Sequence, residues 1–153
     1  MRDSQRSRVY AAEGAWELQL DAARRGATRA TVAGSSLLLP TELLFGTLEA
    51  AQAYADGRLE GVPPVALRAR KGHGKAHWEA PGVIALPVPE HGQPWAMRES
   101  VLLHELAHHV AFHRHDVVDH GPTYRACMLD LVEQALGPEA ALALRVAYGE
   151  AGL

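Results

Sequence analysis

The segment His104-Glu105-Leu106-Ala107-His108 sets two imidazoles four residues apart, with a carboxylate directly after the first. An α-helix turns about 100° per residue, so residues four apart lie about 40° apart on one face, one turn from each other. His104 and His108 then point the same way, and their ring nitrogens can converge on one ion. This is the H-E-x-x-H arrangement, in which two helical histidines bind zinc and the glutamate acts as general base. The 100° offset carries Glu105 to the edge of the histidine face. Leu102, Leu103, Leu106, Ala107 and Val110 form an apolar face beside it, which anchors the helix and is expected to leave the site open. The bland alternative is one wet face of an ordinary helix. A third ligand decides between them, because a catalytic zinc site holds three protein ligands and one open position.

Several residues compete for that place. A metzincin would carry Gly and His three and six residues after His108, where this chain has Ala111 and Arg114. His115 shares the face but lies ~10 Å further along a straight helix. His109 and His113 point away from it and are expected at the surface or the helix end. His120 sits in HGPTY, after the break RHDVVD and just before a helix that Pro122 starts. With Tyr124 as zero on that helix, Met128, Leu131 and Ala135 form the apolar side, and His120 extrapolates to about 320°, on the buried side. Glu133 is the rival, but falls at about 180°, on the solvated face. His120 is therefore favoured over Glu133.

The same helix–loop–helix carries a family likeness. HELAHH, followed after a short gap by HGPTY at the head of the next helix, resembles the SprT-like zinc metallopeptidases, mainly over residues 83–136. From RDSQRSRVYAAE to its last helix, the chain is similar to a family of short metallohydrolases. The resemblance implies a zincin-like fold, His104, His108 and His120 as ligands of one zinc ion, and Glu105 as general base. It also implies that the strand near residues 83–86 borders the substrate cleft. That apolar run reads as a buried or an edge strand: an exposed edge could hold an extended peptide by backbone pairing, and plain core packing is the alternative. Unlike the larger SprT-like repair proteases, the chain has no zinc ribbon and no basic DNA-binding tail. A peptide or protein substrate is expected, and nucleic acid is not.

Other polar residues near the site have candidate roles. Tyr124, Tyr148 or His109 could donate to an oxyanion. Tyr124 also fits a core aromatic beside the site. Asp116 and Asp119 flank His120 and could orient an imidazole, or serve only as loop and cap residues. His73, His77 and His91 read as loop or strand-face histidines, Trp16, Trp78 and Trp95 as core or rim, and Cys127 as a small buried residue.

The elements that must position these groups follow from periodicity and breakers. Residues 4–25 predict a helix with Val9, Ala12, Trp16, Leu20 and Ala23 as its stripe, stopped by Gly26. Residues 28–39 predict a strand interrupted at Gly34. Pro40-Thr41 is expected to open a helix over 41–56, ended by Asp56-Gly57. Strands are expected at 65–70, 76–79 and 83–86, with a turn at Pro81-Gly82. Helices follow at about 95–113, 121–136 and 138–149, the last two separated at Gly137. This order predicts an α+β fold over residues 1–153 as a single domain, with helices on one face of a small, mostly antiparallel sheet.

Composition narrows the function classes. At 153 residues the chain is long enough for a real core. A net charge of −3, with 13 Arg and 2 Lys, gives no electrostatic footprint for nucleic acid or anionic membrane. The first twenty residues lack the apolar run of a secretory signal, and Asp3, Glu13 and Glu17 argue against a transit peptide. No stretch approaches the ~20 apolar residues of a membrane span. One cysteine excludes an internal disulfide and a cysteine zinc cluster, so a reducing cytoplasm is the expected location. The expected function is a zinc-dependent hydrolase that cleaves peptide bonds. The alternatives are another amide hydrolase, a repressor-cleaving type of protease using Glu133 as third ligand, and a non-catalytic metal-binding module.

Overall fold

A computed structural model describes residues 2–71, 75–88 and 97–153. The elements in chain order are α1 (Arg6–Arg24), β1 (Arg29–Val32), β2 (Ser35–Leu38), α2 (Leu48–Arg58), β3 (Ala66–Arg70), β4 (His77–Glu79), β5 (Val83–Pro87), α3 (Glu99–His115), α4 (Pro122–Leu136) and α5 (Pro138–Glu150). The mixture is α+β. The chain divides into two compact units, Met1–Glu42 with Asp119–Leu153, and Leu43–Val118.

In the first unit, α5 packs against α1, α4 and β2. Val9, Ala12, Trp16 and Leu20 are buried along α1 as their spacing predicts, while Ala23 is only half-buried. The same stripe buries a carboxylate, Glu13. Its Oε2 accepts from the hydroxyls of Tyr148 at 2.8 Å and Tyr124 at 3.0 Å, and so joins all three helices. The segment expected as one interrupted strand is a hairpin, with β1 and β2 antiparallel from Arg29↔Leu38 to Val32↔Ser35. Its two turn residues, Ala33 and Gly34, both have positive φ, 48° and 81°, the pattern of a turn whose twist matches the strands it joins.

In the second unit, three strands run in the order β3-β5-β4. The expectation of one mostly antiparallel sheet is corrected here. The structure has two small sheets, and in this one β3 and β5 are parallel over five residue pairs, Ala66↔Val83 to Arg70↔Pro87. Only the three-residue β4 runs antiparallel to β5. Of the two readings of 83–86, a buried strand or an edge that could hold a peptide, the structure has the buried one. β5 is the central strand, paired on both sides, and Ile84, Ala85 and Leu86 are buried without the alternation of a half-exposed strand. Trp78 and Leu67 flank Ile84 in one row of the sheet. On that face the Trp78 ring meets the Phe112 ring of α3, with centroids 5.1 Å apart.

The second helix also differs from expectation. It starts at Leu48, not at 41, because Thr47 is the cap: its backbone is extended and its Oγ1 accepts from the Ala50 N–H at 3.1 Å. The residues before it are used otherwise. Phe45 N donates to Met97 O and Glu99 N to Leu43 O, so this stretch pairs with the chain entering α3. At the other end, α2 runs through Asp56-Gly57 to Arg58. The start of the expected 95–113 helix lies outside the described residues. The observed α3 runs two residues further, to His115, and ends on Asp116 in the left-handed region at φ 55°.

Candidate metal centre

α3 is buried over most of its length. Glu99, Ser100 and every residue from Leu102 to Ala111 are covered, which is the signature of a helix enclosed on all sides rather than a surface helix. Its entry is pinned by Glu99, whose carboxylate accepts from Leu43 N at 2.9 Å and from the Tyr54 hydroxyl. On this helix His104 and His108 stand one turn apart, with ring centroids 5.0 Å apart at 71°. The histidine face expected to lie open is covered as well: His104, Glu105 and His108 are 5%, 4% and 8% exposed.

His120 stands just ahead of α4, where Pro122 takes the first helical position. Its Nδ1 lies 2.6 Å from Asp3 Oδ2, and its backbone N–H donates to the same oxygen at 3.1 Å. An ionised carboxylate only accepts, so Nδ1 carries the hydrogen and the lone pair falls on Nε2, the nitrogen a metal would take. Burial pushes the Asp3 carboxyl up. The hydrogen bond and charge of His120, with the backbone N–H groups of Gln5 and His120, outweigh it and hold the group below its ordinary value. Arg125 donates to the His120 carbonyl at 3.1 Å. The rings of Tyr124 and Tyr10 pack on the imidazole at 5.0 and 5.3 Å.

His104, His108 and His120 are all buried, and each offers one ligand nitrogen such that the three atoms lie within 4.8 Å of one another. That is close enough for them to bind one metal ion. Three neutral imidazoles form a donor set that suits zinc and several other first-row ions. Glu133 is exposed on α4 and is not part of this cluster.

Each of the remaining candidates has a place of its own. Asp119 accepts from Gly121 N at 2.9 Å, and Asp116 caps α3, so both are loop and cap residues. A Cβ on Gly121 would meet Asp119 Oδ1 at 2.9 Å, which accounts for the glycine of HGP. Tyr124 and Tyr148 direct their hydroxyls to Glu13. His109 is corrected: it is fully buried, held between Trp78 and Pro63. His113 is half-buried and donates to the Pro81 carbonyl. His115 is exposed, and His77 pairs with Glu79 and Arg70 on the sheet face away from Trp78. Trp16 is core, and Cys127 is buried and in no disulfide. His73, His91 and Trp95 lie outside the described residues.

Sequence spacing assigns no role to two carboxylates, Asp3 and Glu13, that the structure shows holding side chains in place. Glu13 was legible as a charge inside an apolar stripe. Asp3 carried no local signal, since its partner is 117 residues away. No family model matches the chain, and no curated protein or solved structure matches it either. Among the described residues, no helix is long and apolar enough to cross a membrane.

Proposed function

We propose that the protein is a zinc-dependent metallohydrolase of SprT-like kind that cleaves peptide bonds in a peptide or protein substrate. The observation that carries this reading is the buried cluster of His104, His108 and His120, with Glu105 next to His104 on the same helix. Held by these three histidines, a zinc ion would supply Lewis acidity and would lower the pKa of a water towards about 7. Among the described residues three side chains would hold the ion, which favours an open catalytic site over a closed structural one with four protein ligands. Glu105 takes the proton of the attacking water and passes it to the leaving nitrogen. Its burial strengthens any charge it meets there, because a dry site screens poorly. The reading with Glu133 as acidic third ligand gains no support from an exposed residue on α4.

The test is zinc per chain by elemental analysis, on wild type, His120→Ala and Glu133→Ala purified side by side. The expected result is about one zinc in wild type and Glu133→Ala, and loss in His120→Ala. Zinc retained by His120→Ala and lost by Glu133→Ala would select the acidic-ligand reading. No metal in any of them after zinc is supplied would remove the hydrolase reading.

A further inference from the structure

We propose that Asp3 is the positioning residue of the third ligand, fixing both the tautomer and the direction of His120. The inference rests on the metallohydrolase reading and names a residue that sequence spacing does not reveal. One oxygen, Asp3 Oδ2, accepts from the ring Nδ1 at 2.6 Å and from the His120 backbone N–H at 3.1 Å. The first contact selects the tautomer with its lone pair on Nε2, and the second sets the backbone from which the ring projects. Together they leave the imidazole little freedom in its rotation.

The carboxylate is itself held. Its Oδ1 accepts from Gln5 N at 3.3 Å. The Gln5 side chain accepts from Arg125, whose guanidinium also donates to the His120 carbonyl. The Tyr10 ring, one turn into α1, packs on the imidazole. Asp3, Gln5 and Tyr10 thus form a latch over a histidine more than a hundred positions away, on the segment whose Val9 enters the core. A carboxylate on the far nitrogen of a ligating histidine orients the ring and makes it more basic, and losing such a partner costs roughly 10–100-fold in metal affinity.

The experiment is a zinc titration against a competing chromogenic chelator, on wild type, Asp3→Ala, Asp3→Asn and His120→Ala. Cobalt-substituted spectra and melting temperatures in chelator are taken on the same samples. Asp3→Ala is expected to bind zinc ~10–100-fold more weakly and to show an altered cobalt absorption band. Asp3→Asn, whose amide oxygen still accepts from Nδ1, is expected to lose less. A residue that served only to hold the fold would lower the metal-free melting temperature and leave the cobalt band unchanged, and that result overturns the proposal. So does zinc affinity within about twofold of wild type in Asp3→Ala while His120→Ala loses its metal, an outcome that leaves the metallohydrolase reading standing. Wild type that binds no zinc removes both, and is told apart by that sample alone.

Discussion

Trp78 donates its indole N–H to Nδ1 of His109 at 3.1 Å. Because an indole nitrogen only donates, Nδ1 must hold the lone pair, and the hydrogen sits on Nε2, which gives it to the Pro63 carbonyl at 2.7 Å. The ring next to His108 is therefore spent on both nitrogens and joins α3 to β4 and to the loop before β3. Burial pushes its pKa down, the Pro63 bond partly opposes this, and the charge of His113 adds to the fall. Removing the ring strands two partners and opens a cavity. His109→Ala is expected to cost roughly 2–4 kcal/mol in urea unfolding at neutral pH. His109→Gln, which retains one donor and one acceptor, is expected to cost less. Gly82→Ala should also destabilise, by about 1–2 kcal/mol, since its Cβ would meet His109 Cε1 at 3.1 Å and the ring has no spare direction. A His109→Ala cost under about 0.5 kcal/mol would mean that this junction does not hold the helix.

Alkaline pH offers a second check. Burial, then the charge and hydrogen bond of Glu13, push the Tyr148 phenol well above its ordinary value, with Arg125 only partly opposing. Burial and Glu99 do the same to Tyr54. A raised folded value means that the unfolded chain releases the proton first. The stabilisation is intact below the ordinary tyrosine value near ~10 and is lost as pH climbs above it, by at most about 1.4 kcal/mol per pH unit for each phenol. Unfolding free energies at pH 9 and 11 should fall accordingly, and Tyr148→Phe should reduce the slope. Equal stability at the two pH values would contradict the buried Glu13–Tyr148 contact.

What the sequence made legible, and what it hid, divides by range. The α1 stripe, the Gly137-Pro138 break and the helical phase that turned His120 inward are local, and periodicity reports them directly. The α2 start was misplaced because Pro40-Thr41 and Thr47 are both plausible openings. The choice fell to Leu43 and Phe45 pairing with residues 97–99, a contact across more than fifty positions. The place of β5 stayed open between buried and edge for a similar reason. A short apolar run fits a central or an edge strand equally, and only the pairing with both β3 and β4 decides. At the candidate site the two histidines sharing one helix face were plain, and the inward side of His120 followed from phase. Asp3 and the burial of His109 depend on partners far along the chain, which no spacing rule reaches.

The β1–β2 turn should accept improvement. Ala33 sits at φ 48°, a region that costs an alanine roughly 1 kcal/mol through its Cβ. Asparagine tolerates it, and Asn-Gly is the preferred pair for such a hairpin. Ala33 is exposed, so nothing else changes with the side chain. Ala33→Asn is expected to raise stability by about 0.5–1 kcal/mol in urea unfolding, with zinc content unaltered. A loss of stability would mean that the turn does not adopt this conformation in solution.

The sharpest test of chemistry, as opposed to metal binding, is Glu105→Gln. The glutamine keeps the size of a side chain that is 4% exposed, so folding and the placement of His104 and His108 should persist. It cannot take up a proton at neutral pH. With zinc-loaded protein and a mixture of proteome-derived peptides read by mass spectrometry, wild type is expected to generate new termini, and Glu105→Gln to do so ~10²–10⁴-fold more slowly at equal zinc content. Equal rates in the two would place the base elsewhere and leave Glu105 as a buried structural carboxylate. Wild type that holds zinc yet cuts nothing in the mixture would point away from peptide bonds and towards another amide, since the open coordination position and the adjacent base serve either substrate.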